Sequence, residues 1–226
     1  MNEKSSNPPT TRPRSFTKVL RGVTAATLAV ILTASAQHVF ARPDLRSFDP
    51  QLTGRMESAM WRSYYEARWL RLGWQTMRLA CGQYGFSWWD GARMSAHAAI
   101  PAMRFQKNAD DPRCVTELAS YYRIIQHAVP SSLDVQTLAA LELQWWKERR
   151  QNVAPEDYAR TIARLTGALY GIEETVSLPA ARLRTEAMAY RDARRNGKMT
   201  DADWAEISRQ LTEAYTLLKQ ETGARP

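Results

Sequence analysis

The stretch Trp204-Ala-Glu-Ile-Ser-Arg-Gln-Leu-Thr-Glu-Ala-Tyr-Thr-Leu-Leu218 decides the fold, because its apolar residues recur every three or four positions. That spacing is typical of an amphipathic helix with one buried face. The face is predicted to comprise Trp204, Ile207, Leu211, Ala214 and Leu218. Just upstream, Thr200-Asp-Ala-Asp203 resembles a capping box, which would begin the helix at about Asp201. The opposite, charged face is expected to contact water.

The rest of the chain carries helix signals and few strand signals. Runs of β-branched residues are absent, and Ala, Leu, Arg and Glu dominate, which favours helices. Caps, prolines and glycines divide residues 42–226 into about seven helices with short connections. The first is expected from about Arg55 to Gln83 with a bend at Gly73, and Ser177 and Pro179 open another. The sequence therefore predicts an all-α, single-domain helical bundle.

The N-terminus has the three-part organisation of a secretory signal peptide. Basic residues up to Arg21 are followed by an uncharged segment from Gly22 to Ala41. The apolar part of this segment ends in Ala34-Ser35-Ala36, an Ala-x-Ala cleavage pattern. Residues 1–41 are therefore predicted to direct the chain out of the cytosol.

Two fates of this leader stay open, and cleavage is favoured. A signal peptide would be cut after Ala36 or after Ala41, which leaves a periplasmic or otherwise exported domain. If uncleaved, residues 22–41 would act as one N-terminal anchor in the inner membrane, with residues 42–226 still outside the cytosol. No other membrane contact is predicted.

Part of the leader resembles a twin-arginine export signal. The stretch Pro13-Arg14-Ser15-Phe16-Thr17-Lys18 follows that family's Arg-Arg-x-Phe-x-Lys pattern, with Pro13 in place of the first arginine. The resemblance would imply that the protein folds before export. Because the arginine pair is incomplete, a general export route is favoured.

Charge and composition exclude some classes of partner. The whole chain carries a net charge of +8, and its first 36 residues hold five basic residues against one acidic residue. Half of the basic excess therefore lies in the leader. No predicted helix carries a long Lys/Arg stripe with interleaved aromatic residues, so nucleic-acid binding is not expected.

The two cysteines allow two interpretations. Cys81 is predicted near the end of the first long helix and Cys114 at the start of the third. An even pair in an exported protein permits a disulfide, and this is the pairing that we predict. Two small buried thiols are the alternative.

Glu142 is the most informative residue for function. A helical projection places it near the middle of the apolar face formed by Val135, Leu138, Ala139, Trp145 and Trp146. A carboxylate in such surroundings is costly unless it is paired or protonated. Glu142 is therefore predicted to be buried and paired with an arginine from another helix.

Charged residues on other semi-apolar helix faces are the candidate partners. Arg93, His97 and Arg104 share one predicted face, and Arg62 and Glu66 share another. Such groups form either a structural network that fixes helix register or a catalytic site. The candidate catalytic residues are Glu142, His97, Arg93, Arg104 and Glu66.

Aromatic doublets are candidates for a binding site. Neighbouring residues on a helix diverge by about 100°, so a doublet contacts two surroundings. Such residues pack in a core or line a flat apolar ligand. The candidates for ligand binding are Trp145, Trp146, Trp88 and Trp89. Glu-x-x-His pairs and Cys-x-x-Cys-His are absent, so no metal site and no cofactor are predicted.

The sequence thus favours an exported, non-catalytic binding or scaffold protein of the cell envelope. Its expected partner is another protein or a small apolar or anionic ligand. One alternative is an enzyme whose Glu/Arg/His site acts on a small anionic substrate. Another alternative is an accessory subunit of an envelope complex.

The export prediction can be tested with a topology reporter fused after Asp49. A reporter that is active only outside the cytosol is expected to give signal at this position, because residues 1–41 direct export. A silent fusion, together with an active cytosolic reporter at the same position, would contradict the leader assignment.

Overall fold

Eight helices make up most of the residues that the structure describes. The computed structural model describes residues 42–130, 132–194, 197 and 199–223, which belong to one compact unit. The helices are α1 (Pro50–Tyr65), α2 (Trp69–Tyr84), α3 (Trp88–Lys107), α4 (Arg113–Ala128), α5 (Val135–Arg150), α6 (Pro155–Tyr170), α7 (Glu174–Ala193) and α8 (Asp201–Gly223). No β-strand occurs in these ranges. The predicted all-α class is confirmed.

Local capping explains where several helices begin. The Asp49 carboxylate accepts a hydrogen bond from the Leu52 amide at 2.7 Å, and Pro50 occupies the first turn of α1. Before α8, Asp203 Oδ2 accepts from the Thr200 amide at 2.8 Å and Thr200 Oγ1 accepts from the Asp203 amide at 3.2 Å. This reciprocal pair satisfies two backbone donors that lack partners inside the helix. The predicted capping box is therefore confirmed.

Two predicted helix boundaries are wrong. The long first helix is divided into α1 and α2 at Ala67, which has a φ of 53°, and not at Gly73. A left-handed alanine ends a helix without the glycine that usually marks the position. The second difference is Ser177, which lies inside α7. Its hydroxyl donates to the Ala163 carbonyl on α6 at 2.8 Å and so connects two helices.

The helices form a closed ring. Each one packs against its neighbours in the chain, from α1 and α2 through to α7 and α8, and α8 packs back against α1. The face predicted for α8 is buried, with Ile207 and Leu211 fully enclosed. Short connections make successive helices run in opposite directions, so the C-terminal ends of α1, α3, α5 and α7 lie at the same end of the ring.

The ring closes where α1 approaches α8 most closely. A Cβ atom added to Gly54 would lie 2.6 Å from the backbone nitrogen and 2.7 Å from the Cα of Thr212. Nearby, the buried Ser58 hydroxyl donates to the Trp204 carbonyl at 3.1 Å. The absence of a side chain at Gly54 is what allows the two backbones to meet.

Residues 1–41, which carry the predicted signal or anchor, lie outside the described residues. Among the helices that are described, none has the length and apolar character needed to cross a lipid bilayer. Export of residues 42–226 therefore stays a prediction.

Replacing Gly54 by alanine is expected to open this contact and to lower the free energy of unfolding by about 1–3 kcal/mol, as overpacking does. Gly82→Ala is the matched control, because a Cβ there meets no atom within 4 Å. That change is expected to stabilise the protein by about 0.4–1 kcal/mol, since alanine restricts the unfolded chain. Chemical denaturation would measure both effects, and equal stability of the two variants would refute the close contact.

Candidate functional site

The ring encloses a cavity of about 640 Å³. Its wall is built by side chains from α1, α2, α3, α4, α5 and α7. Aromatic rings make up much of this wall, and they are Trp61, Tyr64, Tyr65, Tyr84, Phe105, Tyr121, Tyr122, Trp145 and Trp146. The volume lies within the range of about 300–1,000 Å³ that is usual for small-molecule sites.

Small residues on α3 explain why the cavity is not filled. Ala98, Ala99 and Ala102 face it from one side, while large rings from α5 face it from another. Protein interiors are normally packed to crystal density, so a space of this size marks a site and not ordinary packing. Met94 and Leu118, both almost completely buried, close the apolar part of the wall.

A buried ion pair joins three helices beside the cavity. The Arg184 guanidinium on α7 contacts the Glu57 carboxylate on α1 at 2.5 Å, and the Tyr215 hydroxyl on α8 donates to the other Glu57 oxygen at 2.5 Å. The Glu57 side chain is only 8% exposed. Burial lowers the pKa of Arg184, but the negative charge of Glu57 outweighs this and raises it above its ordinary value. Burial and the nearby Glu57 also raise the pKa of Tyr215 well above 10.

Glu142 lines the cavity and has no arginine within hydrogen-bonding distance among the described residues. Its carboxylate accepts from the Tyr122 hydroxyl at 3.0 Å and from the Trp146 indole at 2.9 Å. Burial raises the pKa of Glu142, and these hydrogen bonds, together with the more distant charge of Arg184, only partly oppose the rise. Glu142 is partly buried and its carboxylate faces the cavity inside the ring, so the predicted burial is confirmed only in part.

Three arginines and one carboxylate surround the opening of the cavity, and we call them the arginine mouth. Arg149 binds Asp192 through Nε at 3.0 Å and Nη2 at 2.9 Å. Arg191 donates to the same carboxylate at 3.1 Å and stacks 3.4 Å from the centre of the Tyr65 ring. Arg150 donates to the Phe105 carbonyl oxygen at the end of α3.

The arginine mouth carries a positive charge and is open to water. Asp192 compensates one of its three guanidinium groups, so two positive charges are left over. The exposed residues of the cavity wall, Gln106, Arg150 and Asn152, all lie here, where α3 and α5 end. A ligand can therefore reach the cavity past these arginines.

The structure brings three of the predicted site residues together and separates the others. Glu142, Trp145 and Trp146 line the cavity. Trp88 and Trp89 do not, because they are 59% and 75% exposed on the outer surface.

The cationic partners predicted for Glu142 are wrong. Arg62 pairs with Glu66 and Asp201, Arg93 with Asp90, and Arg104 with Asp111. Each of these pairs lies away from the cavity wall. Glu66 itself is held by Arg62 and Arg68, both at 3.0 Å.

The second predicted group of charges forms a separate cleft of about 260 Å³ between α3 and α4. His97 Nδ1 lies there 2.7 Å from the Glu117 carboxylate, and Arg93 and His127 also line the cleft. The single Glu/Arg/His cluster that the sequence analysis considered is therefore not formed.

The predicted disulfide is also wrong, since Cys81 and Cys114 are free thiols. The Cys81 sulfur lies 3.6 Å from the Ser87 carbonyl and the Cys114 sulfur 3.6 Å from the Pro101 carbonyl. Ser87 and Pro101 are 14 residues apart, which corresponds to about 21 Å along α3. A disulfide needs Cα atoms less than about 7 Å apart, which this arrangement does not allow.

Glu57 and Arg184 are site residues that the sequence analysis missed. Arg184 stands three and four positions from Ala181 and Met188 on an apolar face of α7. The same projection that identified Glu142 would have found it. Arg150, Arg191 and Asp192 of the arginine mouth gave no such signal, because they come from the polar ends of two helices.

No group of three or more His, Cys, Asp or Glu side chains in the described ranges could hold a metal ion. The chain matches no protein-family model, and no curated protein and no solved structure is significantly similar to it. The interpretation of the site therefore rests on its geometry.

Glu142→Gln and Glu57→Gln are expected to differ in stability. Neutralising Glu142 removes an unpaired buried charge, so this variant should unfold at the same or a higher temperature near neutral pH. Neutralising Glu57 leaves Arg184 without its partner, which typically costs about 3–5 kcal/mol. Thermal unfolding of both variants measures the contrast, and a strongly destabilised Glu142→Gln would show that the charge is compensated.

The pH dependence gives a second test of the same prediction. Because the folded-state pKa of Glu142 is raised above 4.5, the folded protein takes up a proton before the unfolded chain does as pH falls. Wild type is therefore expected to gain stability relative to Glu142→Gln as pH falls through that raised pKa towards 4.5. A constant difference across this window would contradict the shift.

Proposed function

We propose that this protein is an exported, non-catalytic binding protein, and that its ligand is a small, mainly apolar molecule with one anionic group. The observation that carries the proposal is the aromatic cavity that opens at the arginine mouth. Export is supported by the predicted leader, residues 1–41, and is part of the proposal.

The cavity wall supports an apolar and flat ligand body. Trp145 and Trp146 meet nearly edge to face, at an interplanar angle of 84°, and Trp146 meets Phe105 at 66°. Such rings offer both faces and edges, with which an inserted aromatic or ring-shaped molecule can stack. Each Å² of apolar ligand surface removed from water contributes about 25 cal/mol.

The arginine mouth supports an anionic group on the ligand. Guanidinium groups bind carboxylates and phosphates through paired, charge-assisted hydrogen bonds. Arg149 and Arg191 share the single carboxylate of Asp192, Arg191 also stacks on the Tyr65 ring, and Arg150 is exposed without an acidic partner among the described residues. An anion at this position would compensate the excess positive charge without displacing Asp192.

Glu142 and Arg149 together suggest the length of the ligand. They lie seven residues apart on the same side of α5, which is a rise of about 10 Å. A ligand with a hydrogen-bond donor at one end would reach Glu142 there while its anionic group stays at the mouth. The proposed ligand is therefore amphipathic, with two polar ends about 10 Å apart.

An enzyme is the second candidate, and the raised pKa of Glu142 favours it. A carboxyl group of raised pKa in a cavity is suited to general acid catalysis. However, His97, Arg93, Arg104 and Glu66 lie elsewhere. The binding function requires none of them, and so it is the better-supported proposal.

Two fluorescent probes with the same ring system test the binding proposal. Anilinonaphthalene sulfonate carries a negative charge and N-phenylnaphthylamine does not. Arg191→Gln is expected to weaken binding of the sulfonate on the order of tenfold, because a charge-assisted contact is lost, and to leave the neutral probe unchanged. Arg182→Gln is the matched control, since Arg182 lies on the same helix and pairs with Glu156 outside the cavity.

A cavity-filling variant tests the location of the apolar part. Ala102→Trp is expected to abolish binding of both probes, because Ala102 lines the cavity. Ala168→Trp adds the same side chain at an exposed position of α6, which contributes no residue to the cavity wall, and should leave binding intact. Fluorescence titration and unfolding curves would be measured for each. Unchanged binding by a folded Ala102→Trp variant would exclude the cavity as the site.

A further inference from the structure

The outer surface of α2 and α3 exposes four large apolar side chains, which we call the tryptophan face. It consists of Leu70, Trp74, Trp88 and Trp89, whose exposed fractions are 95%, 51%, 59% and 75%. We propose that this face docks on the surface of an anionic lipid bilayer. The proposal is independent of the ligand in the cavity.

Leu70, Trp74 and Trp88 form a continuous surface, and Trp89 follows Trp88 directly in the chain. Leu70 and Trp74 are four residues apart on α2, so they lie on the same side of that helix. The rings of Trp74 and Trp88 are 5.9 Å apart, which joins α2 to the start of α3. Single exposed apolar residues are ordinary on proteins, but a contiguous group of this kind marks an interaction surface.

Exposed arginines accompany the tryptophan face. Arg71 and Arg78 stand three residues before and four residues after Trp74, and Arg93 stands four residues after Trp89. Within the described residues, neither Arg71 nor Arg78 makes an ion pair, whereas Arg93 contacts Asp90 at 3.6 Å. The α2 segment Trp69–Tyr84 contains no acidic residue. The surface thus combines apolar rings with uncompensated positive charge.

The first described residues of the chain lie next to the tryptophan face. The Asp44 amide donates to the Tyr84 carbonyl at 3.0 Å, and a Cβ atom added to Gly85 would lie 3.8 Å from the Cα of Pro43. Trp88 follows three residues later, which corresponds to at most about 10 Å of chain. Residues 42–44, the first that the structure describes, therefore lie close to this face, and in an uncleaved chain they would directly follow the predicted anchor, residues 22–41.

Bilayer chemistry matches these features better than a protein partner does. Tryptophan rings prefer the boundary between headgroups and acyl chains, where one side is apolar and the other is wet. Arginines bind the phosphate groups of anionic lipids, and each one near such a surface strengthens binding by about fivefold. Apolar residues and cations side by side on one surface provide the two signals that stable peripheral binding requires.

The experiment uses the full chain with two kinds of vesicle, one of phosphatidylcholine alone and one that also contains brominated phosphatidylglycerol. Bromine quenches tryptophan fluorescence only at close range. A triple variant, Trp74→Phe, Trp88→Phe and Trp89→Phe, keeps the face apolar but removes its tryptophan fluorescence. The fluorescence of wild type minus that of the variant therefore comes from these three tryptophans alone. We expect this difference signal to be quenched by the brominated lipid and shielded from aqueous acrylamide.

Charge reversal distinguishes docking of the tryptophan face from membrane insertion of residues 22–41, because insertion is expected in both types of vesicle. Arg71→Glu with Arg78→Glu should restore acrylamide access to the face in the anionic vesicles. Arg160→Glu with Arg164→Glu is the matched control on α6, which packs against α5 and α7 and not against α2. This control should behave as wild type.

Two results would overturn the proposal. In the first, the face would be as accessible to acrylamide with anionic vesicles as without them. In the second, it would become shielded without lipid as protein concentration rises, which would assign the surface to contact between copies of this chain.

Discussion

The rest of the structure depends on the buried contact among Glu57, Arg184 and Tyr215. It joins α1, α7 and α8, the three helices at which the ring closes. The Glu57 side chain is 8% exposed and the Arg184 side chain 28%, so each charge is costly unless it is paired, and the contact favours the arrangement of helices that brings the two together. Gly54 permits the close backbone approach at the same seam. Ring closure is therefore specified by electrostatics and by shape together, and the central cavity exists because the ring closes.

The polar groups in the cavity differ in how they are compensated. Glu57 and Arg184 form an ion pair. Glu142 instead accepts hydrogen bonds from two neutral donors, and burial raises its pKa. At the arginine mouth, by contrast, positive charges outnumber negative charges. A cavity with an uncompensated carboxyl at one point and excess positive charge at another is poorly explained as packing. It is well explained as a site for a molecule with complementary ends.

The sequence predicted the parts that local interactions determine. Caps and periodicity located most helices, and the helical projection placed Glu142 inside. The break at Ala67 was missed because no glycine or proline marks it. The partners of Glu142 were missed for another reason. The projection identifies which side of a helix is buried, but which residues meet across a ring depends on tertiary packing. Arg62, Arg93 and Arg104 each found an acidic partner outside the cavity.

The alanines of α3 have a consequence for how this protein could diverge. Ala98, Ala99 and Ala102 determine how much room the cavity has, while its charged side chains come from α1, α5 and α7. Size selectivity and charge selectivity therefore reside on different helices. A single enlargement on α3 could exclude one ligand and admit a shorter one without disturbing any hydrogen bond of the site. Related chains could thus retain the ring and its charges and still differ in the molecules they carry.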